Sequence, residues 1–446
     1  MSGAGSTEPP RRGGAGSAGP GAGEQAVGPR AAWQILRRRD FGLYFLGNSA
    51  SATGGWFHNL AAAILIYRLT GSELLLGVLS FSQFAWVLVL APWAGALADR
   101  FDRRIVLLWA ELAATGLSFL IAGLAFADRL DEWSVIGITL ALGLSAAVAA
   151  PAQQAIVVAL VPERDLSTAV ALNSMTFNLA RALGPALAAL AIGTIGIAAA
   201  FTVNAFSYLV LVGALLIVRT RPQERAVGQV RLRESLVLLR EDPRLLAYLL
   251  IVAAVGWASD PVNTLAPAFA EAYGHEDTVG GLILGAFGTG AVCVAILLAG
   301  RTSGSARRMV VTLTLLGGGL VLFSLTPWLP LGLVFVAICG AGYLASNTSA
   351  TTRLQLGVAE SQRGRIMALW GVAFLGVRPF ASLLDGAIAS VAGVRVAGVV
   401  LALPALAGAA IILAWPRLGR VRALAAAFLG PRSSASRRGR ASGRAR

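Results

Sequence analysis

Three ionisable side chains stand inside long stretches that are otherwise apolar: Arg181, Asp260 and Arg378. Each lies about 15 or 16 residues from the start of its stretch, which at 1.5 Å per helical residue places it near the middle. Because an unpaired charge in an apolar interior is costly, such groups must be paired or neutralised. Asp260 and Arg378 are the plausible pair. Asp260 is then either a structural partner of Arg378 or a group that takes up and releases a proton.

The arginines allow a similar choice. Arg181 and Arg378 either stabilise and gate the helix packing or bind a ligand and relay protons, and both interpretations stay open. Two other carboxylates, Glu111 and Asp385, stand nearer the ends of their stretches, and we expect them at an interface with solvent. If Asp260 carried no proton, that role would pass to Asp385, Glu111 or His58.

A polar stripe follows the first apolar stretch. It consists of Asn48, Ser51, Gly55 and Asn59, with His58 beside it. Steps of three or four residues put this stripe on one face of a helix. The fourth and tenth stretches contribute further polar side chains: Ser145, Gln153, Gln154, Tyr343 and Asn347. Each of these residues either lines a cavity that holds a ligand or forms a hydrogen bond between helices.

The loop after the second stretch carries a dense set of charges. It reads Gly95-Ala-Leu-Ala-Asp99-Arg100-Phe-Asp102-Arg103-Arg104. An acid ends one helix and an arginine pair begins the next. The acid can cap the N-terminus of a facing helix, and the arginines can bind carboxylates or lipid phosphates. We interpret the loop as an electrostatic latch; a loop that is merely basic is the alternative.

The stretches that position these residues are long enough to cross a membrane. Of the 446 residues, 56% are hydrophobic and 13% charged, whereas soluble domains carry roughly 25% charged residues. Apolar runs of about 20 residues span a hydrocarbon core of about 30 Å. We count twelve spans, near 41–68, 73–98, 104–127, 134–160, 167–194, 197–218, 244–271, 278–300, 308–326, 330–353, 364–390 and 395–416.

The arginines predict the orientation of these spans. All 37 basic residues are arginine. With the N-terminus in the cytoplasm, 32 of them fall in cytoplasmic segments and three, Arg68, Arg129 and Arg395, in outer loops. This asymmetry follows the positive-inside rule and predicts two cytoplasmic termini. It also accounts for the net charge of +15 without a nucleic-acid partner.

The two halves of the chain resemble each other. Val161–Leu172 matches Val358–Leu369 at an offset of 197 residues, and the same offset relates Arg181 to Arg378. An intramembrane arginine is rare, so the matched pair indicates a duplication. We predict an all-α integral membrane protein with twelve transmembrane helices in two pseudo-symmetric six-helix bundles, which is the architecture of one large transporter class.

The predicted organisation has five segments. A disordered basic cytoplasmic tail (1–40) precedes the N-terminal bundle (41–218). A cytoplasmic linker (219–243) joins it to the C-terminal bundle (244–416), and a basic cytoplasmic tail follows (417–446). Within the linker, Val230–Glu241 has the leucine spacing of a short amphipathic helix, typical of a segment that lies on a membrane surface.

The loop Gly95–Arg104 resembles the signature loop of the major facilitator superfamily, G-x-L-a-D-R-x-G-R-R, with Asp102 in place of the last glycine. The resemblance implies that Asp99 braces the start of span 11, at Gly364-Arg365. It also implies that Arg103 pairs with an acid at the end of span 4, for which Glu163 is the nearest candidate.

Other motifs resemble one bacterial branch of that superfamily. They are Pro151-Ala-Gln-Gln, Ala171-Leu-Asn-Ser, Asn178-Leu-Ala-Arg-Ala-Leu-Gly-Pro185 and Gln362-Arg-Gly-Arg-Ile-Met. The branch contains enterobactin-type siderophore exporters and macrolide-efflux pumps, also called transmembrane secretion effectors. Gly184-Pro185 is similar to part of the antiporter motif of drug exporters, although Ala180 and Ala188 replace two of its glycines.

The resemblance implies a proton-coupled exporter of a lipophilic drug, siderophore or secondary metabolite, which works by alternating access in the bacterial inner membrane. Spans 1, 4, 7 and 10 would line its cavity. We expect the lipid bilayer, a small-molecule substrate and protons as partners, and a functional monomer. The alternatives are a lipid or metabolite translocator with other coupling, and a non-transporting receptor or scaffold.

Several chemistries lack their motifs. The sequence contains no Walker-type phosphate loop, zinc-ligand spacing or nucleophile elbow, so we expect neither an enzyme nor an ATP-driven pump. Cys293 and Cys339 both lie in apolar runs, so we expect no disulfide framework. His58 has no second histidine or cysteine placed to join it, and we expect no metal site and no cofactor.

Overall fold

The computed structural model describes residues 29–221, 239–240, 242–297, 305–359 and 362–428, with the backbone alone at 29, 31, 88, 91–99, 364 and 415–428. In this part of the chain the regular elements are all helices. They are α1 Pro29–Leu36, α2 Arg39–Thr70, α3 Glu73–Arg100, α4 Arg103–Phe126, α5 Glu132–Leu160, α6 Leu166–Ile195, α7 Ile197–Ile217, α8 Pro243–Thr264, α9 Ala266–Ala272, α10 Gly280–Leu297, α11 Ala306–Leu325, α12 Leu329–Leu356, α13 Arg363–Leu375, α14 Arg378–Ala392 and α15 Val394–Phe428. Short 3₁₀ turns occupy Glu163–Asp165 and Asp277–Val279.

Two predicted segments lie largely outside the described residues. Of the amphipathic helix predicted at Val230–Glu241, only residues 239 and 240 are described. The tails at 1–28 and 429–446 also lie outside them. The predicted C-terminal tail began at 417, whereas the backbone of α15 continues as a helix to Phe428.

Ten stretches of described helix are long and apolar enough to cross a membrane. They are Arg103–Phe126, Glu132–Leu160, Glu163–Ile195, Ile197–Ile217, Pro243–Thr264, Asp277–Leu297, Ala306–Leu325, Leu329–Leu356, Arg365–Ala392 and Val394–Ala414. This result confirms an all-helical membrane protein over the described chain. Helix α2 is long but carries the polar stripe. The side chains of α3 are described without a gap only over Glu73–Val87, which is apolar but shorter than a full span. The count of twelve therefore stays a prediction.

Side-chain caps begin several of the helices. The Asp102 side chain accepts a hydrogen bond from the backbone N–H of Arg104 at 2.8 Å and so caps α4. Asp131 caps α5 by accepting from the backbone N–H of Ser134 at 3.0 Å. The Ser134 hydroxyl also donates to the Asp131 carboxyl, and this side-chain bond, together with the backbone bond, lowers the pKa of that carboxyl. Capping satisfies donors that the first helical turn leaves unpaired. It also explains why an acid occupies position 102.

Two predicted spans are each divided into two helices. The seventh breaks at Leu265, between α8 and α9, and the eleventh breaks after Leu375, between α13 and α14. A proline lies in the first turn after each break: Pro267 in α9 and Pro379 in α14. Proline restricts the residue before it and is favoured in a first turn, so it fixes where each helix restarts. Arg378 consequently becomes the first residue of α14.

The helices before residue 218 pack mainly on one another, and so do those after residue 242. We call them the N-terminal and C-terminal halves. Two crossings join the halves: α3 packs on α14, and α6 packs on α10. We call the face where α2 begins at Arg39 the proximal face, and the face where α2 ends at Thr70 the distal face.

Glycines bring the backbones together at both crossings. A Cβ atom added at Gly386 would lie 2.6 Å from the carbonyl oxygen of Glu73, and one at Gly281 would lie 2.7 Å from that of Pro185. Such separations leave no space for a side chain, so small residues let the helices approach. Both contacts lie toward the distal ends of their helices, and the halves are therefore joined there.

Candidate functional site

A cavity of about 430 Å³ lies between the two halves. Its walls come from α2, α3, α5 and α6 of the N-terminal half and from α8, α9, α10, α13 and α14 of the C-terminal half. It has the size typical of a small-molecule site. The polar and charged lining residues are His58, Asn59, Ser80, Gln83, Thr139, Arg181, Asn263, Thr264 and Arg378.

Asp260 and Arg378 form a buried ion pair at the edge of this cavity. The Arg378 Nε atom lies 3.2 Å from Asp260 Oδ1, and the two side chains are 9% and 2% exposed. Thr264 donates to Asp260 Oδ2 at 2.9 Å. The guanidinium also stacks over the Phe84 ring, with 4.5 Å between its carbon and the ring centroid. The predicted pairing is confirmed; a proton-coupling role for it stays a prediction.

Asp385 lies beside this pair, which sequence reasoning did not foresee. The expectation that Asp385 lies at an interface with solvent is wrong, because Asp385 is fully buried. Its carboxyl group is close enough to that of Asp260 for the two to interact, and neither of its oxygens has a hydrogen-bond partner among the described residues. The break before α14 brings Asp385 into this position.

Arg181 occupies the corresponding position of the N-terminal half and has a different partner. Its Nη1 atom donates to the Tyr343 hydroxyl at 2.7 Å, and its guanidinium carbon lies 5.2 Å from the Tyr343 ring centroid. No acidic side chain among the described residues pairs with it. Arg181 and Tyr343 therefore join α6 to α12 across the two halves.

Asn59 of the polar stripe and its neighbour His58 line the cavity, and their contact with a substrate stays a prediction. The Asn59 Oδ1 atom accepts a hydrogen bond from Gln83 at 2.7 Å. His58 Nε2 lies 3.2 Å from the Thr139 hydroxyl. Gln83 and Thr139 are lining residues that the sequence analysis missed. The polar positions Ser80 and Gln83, three residues apart in an apolar stretch, were the available signal.

The other predicted cavity side chains are not in the lining, because they are used elsewhere or lie away from it. Asn48 donates to Asn173 at 3.0 Å and accepts from Gln153, so it joins α2, α5 and α6. Ser51 donates to the buried Glu111 at 3.5 Å. The remaining members of this group are Ser145, which bonds the backbone of its own helix, Gln154, which is exposed, Tyr343, and Asn347, whose Oδ1 is buried without a donor.

Glu111 also differs from its expected position. Its residue is only 5% exposed, and Ser51 is its one side-chain partner among the described residues. The expectation of an interface with solvent is therefore wrong for Glu111 too. Counting residues from the start of the helix indicates how deep Glu111 lies, but not which neighbouring helix its side chain faces.

The arginine pair of the signature loop binds backbone carbonyls. Arg104 donates to Leu215 and, at 2.8 Å, to Leu216, at the end of α7. Arg103 donates to Ala155 at 3.4 Å. Glu163 lies exposed in a 3₁₀ turn, and the structure gives no ion pair between it and Arg103. Arg100 is exposed, and the side-chain positions of Gly95 and Asp99 lie outside the described residues.

Charged and polar side chains close the distal face. Arg68 binds both oxygens of Asp277, at 2.6 and 2.8 Å. Tyr67 donates to Glu271. Both contacts connect the end of α2 with the C-terminal half, above the cavity. The sequence patterns carried no signal for these contacts, because they depend on how the end of α2 meets α9 and the turn Asp277–Val279.

The profile of the major facilitator family described as transmembrane secretion effector matches residues 30–430. Macrolide efflux protein A of Streptococcus pyogenes is 25% identical over 363 residues, which cover 75% of this chain and 86% of that protein. The enterobactin exporter EntS of Shigella boydii serotype 4 is 29% identical over 340 residues, which cover 74% of this chain and 80% of that protein. The match to the uncharacterised MFS-type transporter YfiS of Bacillus subtilis, at 28% identity, covers 49% of this chain and 54% of YfiS.

Solved transporters share the fold. The nucleoside transporter NupG, as a point mutant, has a TM-score of 0.67 at 12% identity, over 84% of this chain and 99% of that one. A bacterial homologue of the human lysosomal transporter Spinster, in an inward-facing and occupied conformation, has a TM-score of 0.65 at 14% identity. The match covers 87% of this chain and 97% of that one.

The helical fold is shared with solved transporters, and the matching profile is one of the major facilitator class. Within that class the family profile extends over nearly the whole chain. The chain belongs to the transmembrane secretion effector family, as the sequence motifs predicted.

Proposed function

We propose that this protein is a proton-coupled exporter of a lipophilic small molecule that works by alternating access. One observation carries the proposal: a buried ion pair with a second carboxyl group lies at the edge of a cavity whose distal side is closed. A buried carboxyl group can take up or release a proton when the cavity closes on one side of the membrane and opens on the other. The relatedness to exporters of a macrolide and of a siderophore supports the direction of transport.

The proposed architecture has twelve transmembrane helices in two six-helix bundles. It counts α2 and α3 as spans, α8 with α9 as one span, and α13 with α14 as one. The two bundles would rock about the central cavity. The distal contacts Arg68–Asp277 and Tyr67–Glu271 support an inward-facing state, because they must separate before the cavity can open on the distal side.

The signature loop is proposed as the gate of the opposite state. Gly95, Asp99, Arg100, Arg103, Arg104 and Glu163 are its candidate residues. In a state closed at the proximal face, Asp99 would brace the start of α13. Asp99→Asn is therefore expected to slow transport strongly with little loss of folded protein. Transport at the wild-type rate, at matched expression, would reduce the loop to a signal for topology.

Coupling is assigned to the Asp260 cluster. Asp260, Asp385 and Arg378 together hold two carboxyl groups and one guanidinium in a buried site. With one shared proton the cluster is neutral, and without it the cluster carries an unpaired negative charge that burial disfavours. Arg181 is the second candidate for a proton or substrate relay. The cluster would take up a proton on one side and release it on the other.

The alternative functions differ from this proposal in what the cavity must do. A receptor or scaffold needs no continuous polar cavity, whereas about 430 Å³ of space with nine polar or charged lining residues favours a bound small molecule. A lipid or metabolite translocator would use the same cavity with another coupling ion. We also propose a functional monomer that needs no cofactor and binds no nucleic acid.

The proposed location is the bacterial inner membrane with both termini in the cytoplasm. In a cysteine-free background, single cysteines at 71–73, 129–132 and 274–277 should react with an impermeant maleimide from outside the cell. Cysteines at 222–228 and 302–306 should react only after permeabilisation. Outside labelling of 222–228 would overturn this orientation.

The function itself is tested with purified protein in proteoliposomes. A panel of lipophilic compounds is screened for transport driven by an imposed pH gradient, and proton movement is recorded with a pH dye inside the vesicles. We expect at least one compound to move only when the gradient is present. The Asp260→Asn variant is the matched control. Transport that does not depend on the pH gradient would contradict proton coupling. Failure to transport any compound would favour the alternative of a non-transporting scaffold.

A further inference from the structure

The charge of the cavity lining bears on which molecules it binds. The described lining contains two guanidinium groups, those of Arg181 and Arg378, and no carboxylate. Asp260 lies behind Arg378 and is buried away from the cavity. The lining therefore carries positive charge, and the buried carboxylate of Asp260 balances only part of it.

Arg181 has hydrogen-bond donors that the protein does not use. A guanidinium group has five N–H donors, and one nitrogen of Arg181 binds Tyr343. Arg181 is half-buried and borders the cavity, so donors that Tyr343 does not occupy are available to a molecule in the cavity. Placing an arginine at this depth is costly unless an anion or water binds it. A ligand with an acidic group would satisfy those donors and compensate that cost.

The start of α14 adds to the positive potential. This 15-residue helix begins at Arg378, in the wall of the cavity. The first turn of a helix carries partial positive charge from its unpaired N–H groups. Its effect is additional to that of the arginine side chains, and it favours an anion at the same end of the cavity.

The rest of the lining is apolar and aromatic. Trp56, Phe84 and Phe177 are its aromatic members, together with Leu60, Leu79, Leu284 and Leu375. Flat aromatic surfaces bind apolar ring systems. The walls therefore favour a ligand whose body is apolar and whose one strongly polar group is acidic.

We propose that the substrate is an organic anion, a lipophilic molecule whose carboxylate or similar acidic group binds the Arg181 guanidinium. This inference rests on the proposed function, since it names the substrate class of the same cavity. A lipophilic cation is disfavoured, because the cavity offers it two like charges and no described carboxylate. A neutral molecule would leave the donors of Arg181 to water.

The test uses three ligands with one body and different head groups: 1-pyrenebutyric acid, 1-pyrenebutanamide and 1-pyrenebutylamine. At pH 8 these are an anion, a neutral molecule and a cation. Binding to the full-length protein in zwitterionic nanodiscs is measured by equilibrium dialysis, with empty nanodiscs subtracted. We expect the acid to bind roughly tenfold tighter than the amide, since charge-assisted hydrogen bonds are the strong ones, and the amine to bind weakest.

The variant Arg181→Gln should remove the advantage of the acid and leave amide binding unchanged. Arg181→Lys should keep part of this advantage, because it keeps the positive charge. That result would show that the loss in Arg181→Gln is not caused by misfolding. Arg164→Gln, at an exposed arginine outside the cavity, is the matched control. Tighter binding of the amine, equal binding of all three ligands, no binding at all, or an acid preference that survives Arg181→Gln would each overturn the proposal.

These outcomes are separate from those of the transport assay. Selective binding of the acid without gradient-driven transport would retain the organic-anion site and remove the exporter. Gradient-driven export of the amine in preference to the acid would retain the exporter and remove the organic-anion site.

Discussion

Arg181 and Arg378 occupy matching positions in the two halves but have different surroundings. Arg378 binds Asp260 at 3.2 Å and is almost fully buried. Among the described residues Arg181 donates to the Tyr343 hydroxyl alone, and it borders the cavity. The duplicated position has thus become an internal ion pair in one half and an accessible cation in the other. The difference separates a candidate proton site from a candidate ligand site.

The largest expected effect separates the two arginines by stability. Arg378→Gln leaves Asp260 buried without its counter-ion, which costs about 3–5 kcal/mol. Arg181→Gln loses one hydrogen bond to a neutral group and should cost only about 1 kcal/mol. Thermal unfolding in one detergent should therefore give a much lower Tm for Arg378→Gln. Equal Tm values for the two variants would remove the distinction.

Asp260→Asn tests whether the ion pair carries the proton. We expect a lower Tm, since the Arg378 charge then lacks its partner, and no substrate-driven proton movement in proteoliposomes. The double variant Asp260→Asn with Arg378→Gln should recover stability but not proton movement. If the double variant regains proton-coupled transport, the pair is structural. Full coupling in the single variant would pass the role to Asp385, Glu111 or His58.

Asp385→Asn should have a smaller effect on stability than Asp260→Asn. In the proposed cluster Asp385 shares a proton, so asparagine would replace a neutral group of similar shape and the Tm should change little. Transport should become independent of the pH gradient, while binding of substrate is retained. A fall in Tm as large as that of Asp260→Asn would show that Asp385 is ionised in the folded protein.

The smallest expected effect concerns Tyr343. Tyr343→Phe removes the hydroxyl that accepts from Arg181 but keeps the ring under the guanidinium. The loss of one hydrogen bond is about 1 kcal/mol, and the freed donor is available to a ligand. We expect a small fall in Tm and unchanged or tighter binding of 1-pyrenebutyric acid. Weaker binding would mean that Tyr343 orients the guanidinium.

The sequence predicted the all-helical membrane character and the ion pair because both depend on local patterns. Apolar runs and arginine counts specify helices and loops, and equal depth in their spans specified the partners Asp260 and Arg378. The burial of Asp385 could not be found in this way. Its depth was counted along a straight helix, whereas the span breaks before Arg378 and restarts as α14.

The cavity lining was predicted only in part, for a related reason. His58 and Asn59 were found because polar residues repeat along α2. Asn48 belongs to the same stripe but turns to Asn173, since one turn of a helix changes which neighbour a side chain meets. Phe84 left no signal, because an aromatic residue in an apolar span looks the same whether it faces lipid or a cavity.

The accessible charge of Arg181 has a consequence for the energy source of transport. If an organic anion neutralises it, the loaded cavity changes sides with about one positive charge less than the empty cavity. One elementary charge moved through 100 mV corresponds to about 2.3 kcal/mol. The return of the empty carrier would then move positive charge toward a negative interior, so the electrical potential itself would drive the cycle in the direction of export. Turnover would be electrogenic, and at a fixed pH gradient its rate would respond to a voltage clamped by potassium and valinomycin.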